Sequence, residues 1–225
     1  MQLLILGLCA VTTVPAQQRA DWIPVGSVPP ELERRALVAR AMFETLNPEH
    51  QAAALGDLEH DLARYGSATM RIAAVPIVVD LLGQDYRIVE APLDYRIEPT
   101  LRVRALRFLA NVGGTEARNQ LRWTLHSDRD SAVRRAATRF LQATPSDDPD
   151  RDLAAVADAL AAAVRRGSDD GEIVTLIGAA AQLSQLTWQR DSPVLLRALV
   201  DVASGPYSST TRSAAIDLLE GLAGL

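Results

Sequence analysis

The run Asp130-Ser131-Ala132-Val133-Arg134-Arg135-Ala136-Ala137-Thr138-Arg139-Phe140-Leu141 constrains the fold most, because weaker copies of it occur four more times along the chain. Val133, Ala136, Ala137, Phe140 and Leu141 fall at helical spacing, which puts five apolar side chains on one stripe of an α-helix. Arg134, Arg135, Thr138 and Arg139 take the opposite face. Asp130 stands just before the stripe, where its carboxylate can accept from the unpaired amides of the first turn and meet the positive end of the helix dipole. A helix of this kind buries its stripe only against neighbours, so its recurrence predicts a stack.

The equivalent stripes start at Met70, Leu101, Val133, Ile173 and Thr211, at intervals of 31, 32, 40 and 38 residues. The next residue is Arg71, Arg102, Arg134, Val174 and Arg212, and three residues before each stripe stand Ser67, Glu98, Asp130, Asp170 and Ser208, all able to accept amide or guanidinium bonds. Each interval holds two helices, or one helix and a long loop, the period of a helical-hairpin solenoid. Periodicity predicts the intervening helices as well: Leu32 to Leu46, Pro48 to Tyr65 with Gly66 as its stop, Ala117 to Leu125, Leu153 to Val164 stopped by Gly167, and one opened by Ser192-Pro193. The stripe from Met70 reads as one helix, capped by Ser67 and bent at Pro76 unless it starts later. Residues 84–97 break the pattern and read as a loop insert carrying Tyr86 and Tyr95, so the Leu101 repeat lacks a visible first helix.

The expected fold class is therefore all-α: a superhelix of about five helical hairpins in a right-handed stack over residues 31–225. Aromatic content of 4% against 48% hydrophobic residues agrees, since an Ala/Leu/Val-packed array needs few rings and an all-β sandwich usually has more.

All 23 basic residues are Arg. Without Lys there is no Schiff base, no pyridoxal phosphate attachment and no phosphate-loop Lys. The first 16 residues carry no charged side chain, Leu3 to Val14 is apolar, and Val14-Pro15-Ala16 offers small residues for signal-peptidase cleavage. They are expected to be a secretory signal, too short to span a bilayer, followed by a Pro-rich linker at 17–30, which implies an exported, periplasmic or envelope-associated protein, the alternative being a cytoplasmic one. Cleavage would remove Cys9, the only cysteine, and with it any disulfide or thiolate chemistry.

The repeat resembles HEAT repeats, especially the short bacterial kind related to phycobilisome lyase repeats, best over His126 to Leu141, strongly from Thr100 to Leu141 and loosely elsewhere between Pro48 and Leu222. The resemblance implies a ladder in which Asp130 joins Arg102 or Arg134, with Arg71 and Arg212 in the same row. Equivalent positions in stacked repeats are neighbours, and a guanidinium fork suits a carboxylate. The pattern departs at Val174, which replaces the Arg.

Charge is uneven around a total of −5: Arg96 to Arg139 holds ten Arg against Glu98, Glu116, Asp128 and Asp130, whereas Asp147 to Glu172 holds eight acids against three Arg. Arg107, Arg135 and Arg139 lie off the ladder and are candidates, with Tyr86 and Tyr95, for contact with a partner. His50, His60 and His126 are too scattered for a local metal motif, and no phosphate loop, nucleophile elbow or zinc-protease helix occurs, so no catalytic residue, metal or cofactor is assigned. The expected function is a non-enzymatic scaffold binding another protein. The alternative is a carrier or lyase-like protein holding a small anion between Tyr86, Tyr95 and the central Arg patch. An acidic, exported chain is a poor nucleic-acid binder. The last helix, ending near Leu222 and Leu225, has no polar capping helix after it, which makes that end a second contact candidate.

Overall fold

A computed structural model describes residues 28–45, 47–87, 97–187 and 192–224, with only the backbone described at 84–87. The described residues form ten helices and no strand: α1 (Pro30–Glu44), α2 (Pro48–Ala73), α3 (Val75–Arg87), α4 (Pro99–Val112), α5 (Thr115–Ser127), α6 (Ser131–Ala143), α7 (Pro149–Arg166), α8 (Asp170–Ser184), α9 (Pro193–Ser204) and α10 (Ser209–Ala223). Consecutive helices pair as five hairpins. Odd-numbered helices pack on odd-numbered ones and even on even, in an all-α superhelical arrangement two layers thick.

Caps set the starts. Asn47, Asp130, Asp148, Asp169, Ser192 and Ser208 each accept first-turn amides through their side chains, and Pro occupies the first turn of α1, α2, α4, α7 and α9, where its missing N–H costs nothing. Between the layers runs one continuous core, from Leu32 and Phe43 through Leu55, Leu106, Leu121 and Leu160 to Leu199 and Ala215.

Two readings of the sequence are corrected. The stripe starting at Met70 is not one helix: α2 runs through it to Ala73, the chain turns at Ala74, and α3 begins at Val75 with Pro76 in its first turn, so Pro76 starts a helix instead of bending one. The axes before and after that turn diverge by 63°. Residues 84–87, expected in the loop, are the last turn of α3, which is the missing first helix of the second hairpin. Residues 88–96 of the expected loop lie outside the described residues, as do the expected signal, nearly all of the expected linker, and Tyr95.

Counting from the cap gives the repeat its register. In the even helices the fourth residue after the cap is Gln51, Arg102, Arg134, Ile173 and Arg212; the eighth is Leu55, Leu106, Thr138, Ile177 and Ile216; the eleventh is Leu58, Leu109, Leu141, Ala180 and Leu219. Asn47 thus opens the first even helix, and Met70 with Arg71 falls at the end of α2, outside the row. In α8 the cap is Asp169, so Ile173, rather than Val174, is the counterpart of Arg134.

Gly66 interrupts α2 at φ 78° and ψ 164°, a backbone region essentially restricted to glycine. A Cβ there would meet nothing within 4 Å, so the position is limited by backbone strain alone. Gly66→Ala should therefore cost about 1–3 kcal/mol, read as a lowered urea midpoint. Gly178→Ala, in the helical interior of α8 with equally open space, should instead gain about 0.5–1 kcal/mol.

Candidate functional site: ion pairs between repeats and an arginine face

The fourth residue after the cap does much of the joining of neighbouring repeats. Arg102, 2% exposed, places Nε 2.9 Å from Asp128 Oδ2, donates from Nη2 to Asp128 Oδ1 at 3.1 Å and donates from Nη1 to the Ile97 carbonyl. Arg134 forks onto Glu172 with two bonds of 2.6 Å and donates to the Asp128 carbonyl at 2.7 Å. Gln51, in the first repeat, donates to the Phe43 carbonyl at the end of α1. In the fourth repeat Ile173 makes no polar link, and Asp170 instead accepts from the Ser208 amide at 3.1 Å. Hydrogen bonding from the Ser208 side chain above all, and from its amide and Thr211 as well, holds the Asp170 carboxyl below its ordinary value.

Asp130 bridges neither Arg102 nor Arg134. Its carboxylate caps α6, accepting from the amides of Ala132 at 2.8 Å and Val133 at 3.3 Å. The bridging carboxylate belongs to Asp128, two residues earlier in the turn. Arg71 lies at the end of α2, where its Nε donates to the Val112 carbonyl at 3.4 Å, and Arg212 is exposed on α10.

The odd layer contains a further buried pairing, at residues the sequence reading passed over. Arg118, the fourth residue after the cap of α5, and Asp152, the fourth after the cap of α7, meet through Nε–Oδ2 and Nε–Oδ1 bonds of 2.9 and 3.1 Å. Arg122 adds an Nε–Oδ1 bond of 2.6 Å, and the Ser146 hydroxyl donates to Oδ2. The remaining Arg118 donors reach the carbonyls of Leu141, Thr144 and Pro145. A single carboxylate with no exposed surface thus holds two guanidinium groups. The available signal was the same cap-plus-four count, applied to odd helices instead of even ones.

Of the five candidate contact residues, three come together on the outward stripe of the even layer. Arg107 on α4 is 58% exposed with Glu59 3.8 Å away; Arg135 on α6 is half-buried, 3.8 Å from Asp169; Arg139, one turn on, is exposed. Arg104 beside them is committed to Glu59 through its Nε bonds of 3.0 and 3.1 Å, a pairing that raises its pKa. Tyr86 falls on the last turn of α3 with its side chain outside the description, and Tyr95 lies outside it altogether.

The Arg stripe runs into an open groove of about 500 Å³ between α8 and α10, lined by Val174, Gly178, Ala181, Ala214, Asp217 and Gly221. By the cap count Val174 and Gly178 continue the row of Arg135 and Arg139. On the opposite, odd face a cleft of about 570 Å³ holds Trp123, His126 and Asp158. Burial pushes the His126 pKa down, with Arg166 adding to this and Asp158 opposing it. Among the described residues no three His, Cys, Asp or Glu side chains gather as metal ligands, and no single helix is long and apolar enough to cross a membrane. Compared with family models, curated proteins and solved structures, the chain matches none.

Removing a partner from a buried pair leaves charge stranded, at about 3–5 kcal/mol. Asp152→Asn keeps the shape while leaving Arg118 and Arg122 without their anion, so it should lower stability by about that amount, whereas Asp147→Asn, at an exposed carboxylate 4.0 Å from Arg122, should stay within about 0.5 kcal/mol in the same thermal melts.

The two pH windows have separate causes. His126 binds its proton less readily when folded, so its contribution is complete above the unfolded value near 6.5 and is lost as pH falls below it. Glu172 is held below its ordinary value: burial opposes this, but the Arg134 fork together with Ser168 and Arg166 outweighs burial, so its contribution is lost only in more acidic solution, as pH falls through the carboxylate range. Melting temperature should therefore decline from pH 7 to pH 5, and His126→Gln should flatten that decline without changing the acid limb.

Proposed function

We propose that this protein is a non-enzymatic scaffold that binds another protein along the outward face of its even helices. The observation that carries this reading is the Arg107–Arg135–Arg139 stripe, exposed at Arg107 and Arg139 and half-buried at Arg135, which the cap count continues into the α8–α10 groove. Other arginines of the same helices, Arg102, Arg104 and Arg134, are spent on internal carboxylates, so these three are the cations of α4 and α6 with charge to offer.

The groove supports the same reading. Gly178 and Gly221 are helical glycines facing it, and a Cβ at either would meet nothing within 4 Å. Glycine inside a helix is disfavoured by about 0.5–1 kcal/mol against alanine, and neither backbone angle nor packing demands it here. What the two glycines do is widen the groove. A basic stripe leading into a shallow apolar trough suits an amphipathic segment with an acidic edge.

The repeat resembles HEAT arrays, whose surfaces serve such contacts, and the uncharged apolar stretch Met1 to Ala16 favours an exported protein in the cell envelope. A photo-crosslinking residue at position 139 or 178 should trap a discrete envelope protein, while one at Val200, on α9, should not. The combined Arg107→Glu, Arg135→Glu and Arg139→Glu variant should lose at least tenfold in capture, and Gly178→Leu should do the same by filling the trough. Capture that persists in both variants, or specific binding of phosphate or glycan with no protein recovered, would sink the proposal.

A further inference from the structure

We infer that the outer side of α10 is a self-complementary contact, through which two copies of this chain associate about a two-fold axis passing near Ile216. The argument starts from the register of the even helices. In α2, α4, α6 and α8 the residues four, eight and eleven places after the cap are all buried, and the twelfth is half-buried. The eighth shows it most clearly: Leu55 0%, Leu106 0%, Thr138 1% and Ile177 3% exposed. In α10 the same places are Arg212, exposed; Ile216, 43% exposed; Leu219, half-buried; and Glu220, exposed. This helix carries the stripe that the other four bury, and no described helix covers it.

Its polar positions have partners in the earlier repeats. Arg212 is the counterpart of Arg102 and Arg134, each of which reaches a carboxylate of the following repeat, Asp128 or Glu172. Glu220 is the counterpart of Glu59, which bonds Arg104 six places after the cap of the next even helix. The stripe therefore asks for an anion near its start and a cation near its end. Arg212 and Glu220 stand four residues to either side of Ile216. An antiparallel second α10 thus brings Glu220 of the second copy to Arg212 and Arg212 of the second copy to Glu220, with the two Ile216 side chains meeting at the axis.

Head-to-tail stacking onto the first hairpin of another copy does not meet the same demand. The place corresponding to Arg104 in α2 is Ala53, and the next exposed side chain along that helix is Asp57, which would face Glu220 with like charge. A closed two-fold contact satisfies both ends of the stripe at once.

The test is sedimentation equilibrium of the full chain over a wide concentration range, with circular dichroism to confirm helical content; the three positions altered are exposed or partly so, and lie outside the core. Wild type should reach twice the protomer mass. Arg212→Glu or Glu220→Arg alone places like charges opposite each other twice per dimer and should weaken association at least tenfold. Combining them exchanges the charges and should restore it. With Cys9→Ser as background, Ile216→Cys should form a covalent dimer under mild oxidation, because only a two-fold axis brings a residue to its own copy. A wild-type chain that stays monomeric at every concentration, open-ended growth beyond the dimer, or a dimer that is indifferent to the single reversals and gives no cross-link in the Ile216→Cys variant would each overturn the inference.

Discussion

The structure depends on guanidinium groups, buried between successive repeats, that each find a carboxylate at one particular offset. Arg102 with Asp128, Arg134 with Glu172, and Arg118 and Arg122 with Asp152 are all nearly closed to solvent. An unpaired charge in those positions would be intolerable, and a paired one gives no large net gain over an apolar substitute. Their importance is therefore geometric. They are bonds that form only when neighbouring hairpins sit at the right height and the right angle.

That geometry is prepared by the helix starts. A side chain four places after the cap lies one turn in, over the turn that leads into its own helix, because side chains lean toward the amino terminus. Arg102 and Arg134 accordingly donate to carbonyls just upstream, Ile97 and Asp128, while the rest of the fork reaches into the next repeat. Each cap therefore settles where the helix begins, which carbonyls are offered by the turn, and where the cation is delivered. Asp130 acts on the stack through this placement, and its carboxylate is spent on the amides of Ala132 and Val133 rather than on a guanidinium.

The all-α class and most helix starts were legible because they depend on local chemistry: stripes of period 3.6, Asn-Pro and Ser-Pro starts, and caps such as Asp130 and Ser208. What was not legible was how far a helix runs past a glycine and which helix pairs with which. Gly66 looked like a stop, and Ser67 like the next cap, but α2 resumes after the kink and the turn falls at Ala74, which has no sequence mark of its own. Placing α3 at Val75 reads Pro76 as a start signal rather than a flaw. The ladder partners were missed by small displacements. Asp128 and Asp130 are both turn acids, and two residues decide which one caps and which one bridges. Asp169 and Asp170 are both eligible caps, and one residue decides whether Ile173 or Val174 faces the neighbour. The Arg stripe at positions 107, 135 and 139 could be named from the sequence by elimination, whereas the groove beside it arises from two helices that are not consecutive in the chain and has no local signature.

The fourth repeat shows why the ion pairs exist at all. At the row's position it has Ile173, fully buried, and α8 still packs on α10, so covering apolar surface does not need an arginine there. An interface of Ala, Leu and Val can also slide: moving one helix a full turn, about 5.4 Å, exchanges one small apolar side chain for another at little cost. The same slip at α4–α6 or α6–α8 would strand a buried guanidinium and a buried carboxylate together, at several kcal/mol for each pair broken. The arginines thus select one register among packings that the alanine-rich core alone would leave close in energy. Where Ile173 replaces the arginine, the Asp170 carboxylate, bonded by Ser208 and Thr211, supplies the polar tie at the same junction. The last described even helix, α10, retains Arg212 without a carboxylate from any described residue, so the register-setting cation is present there as well.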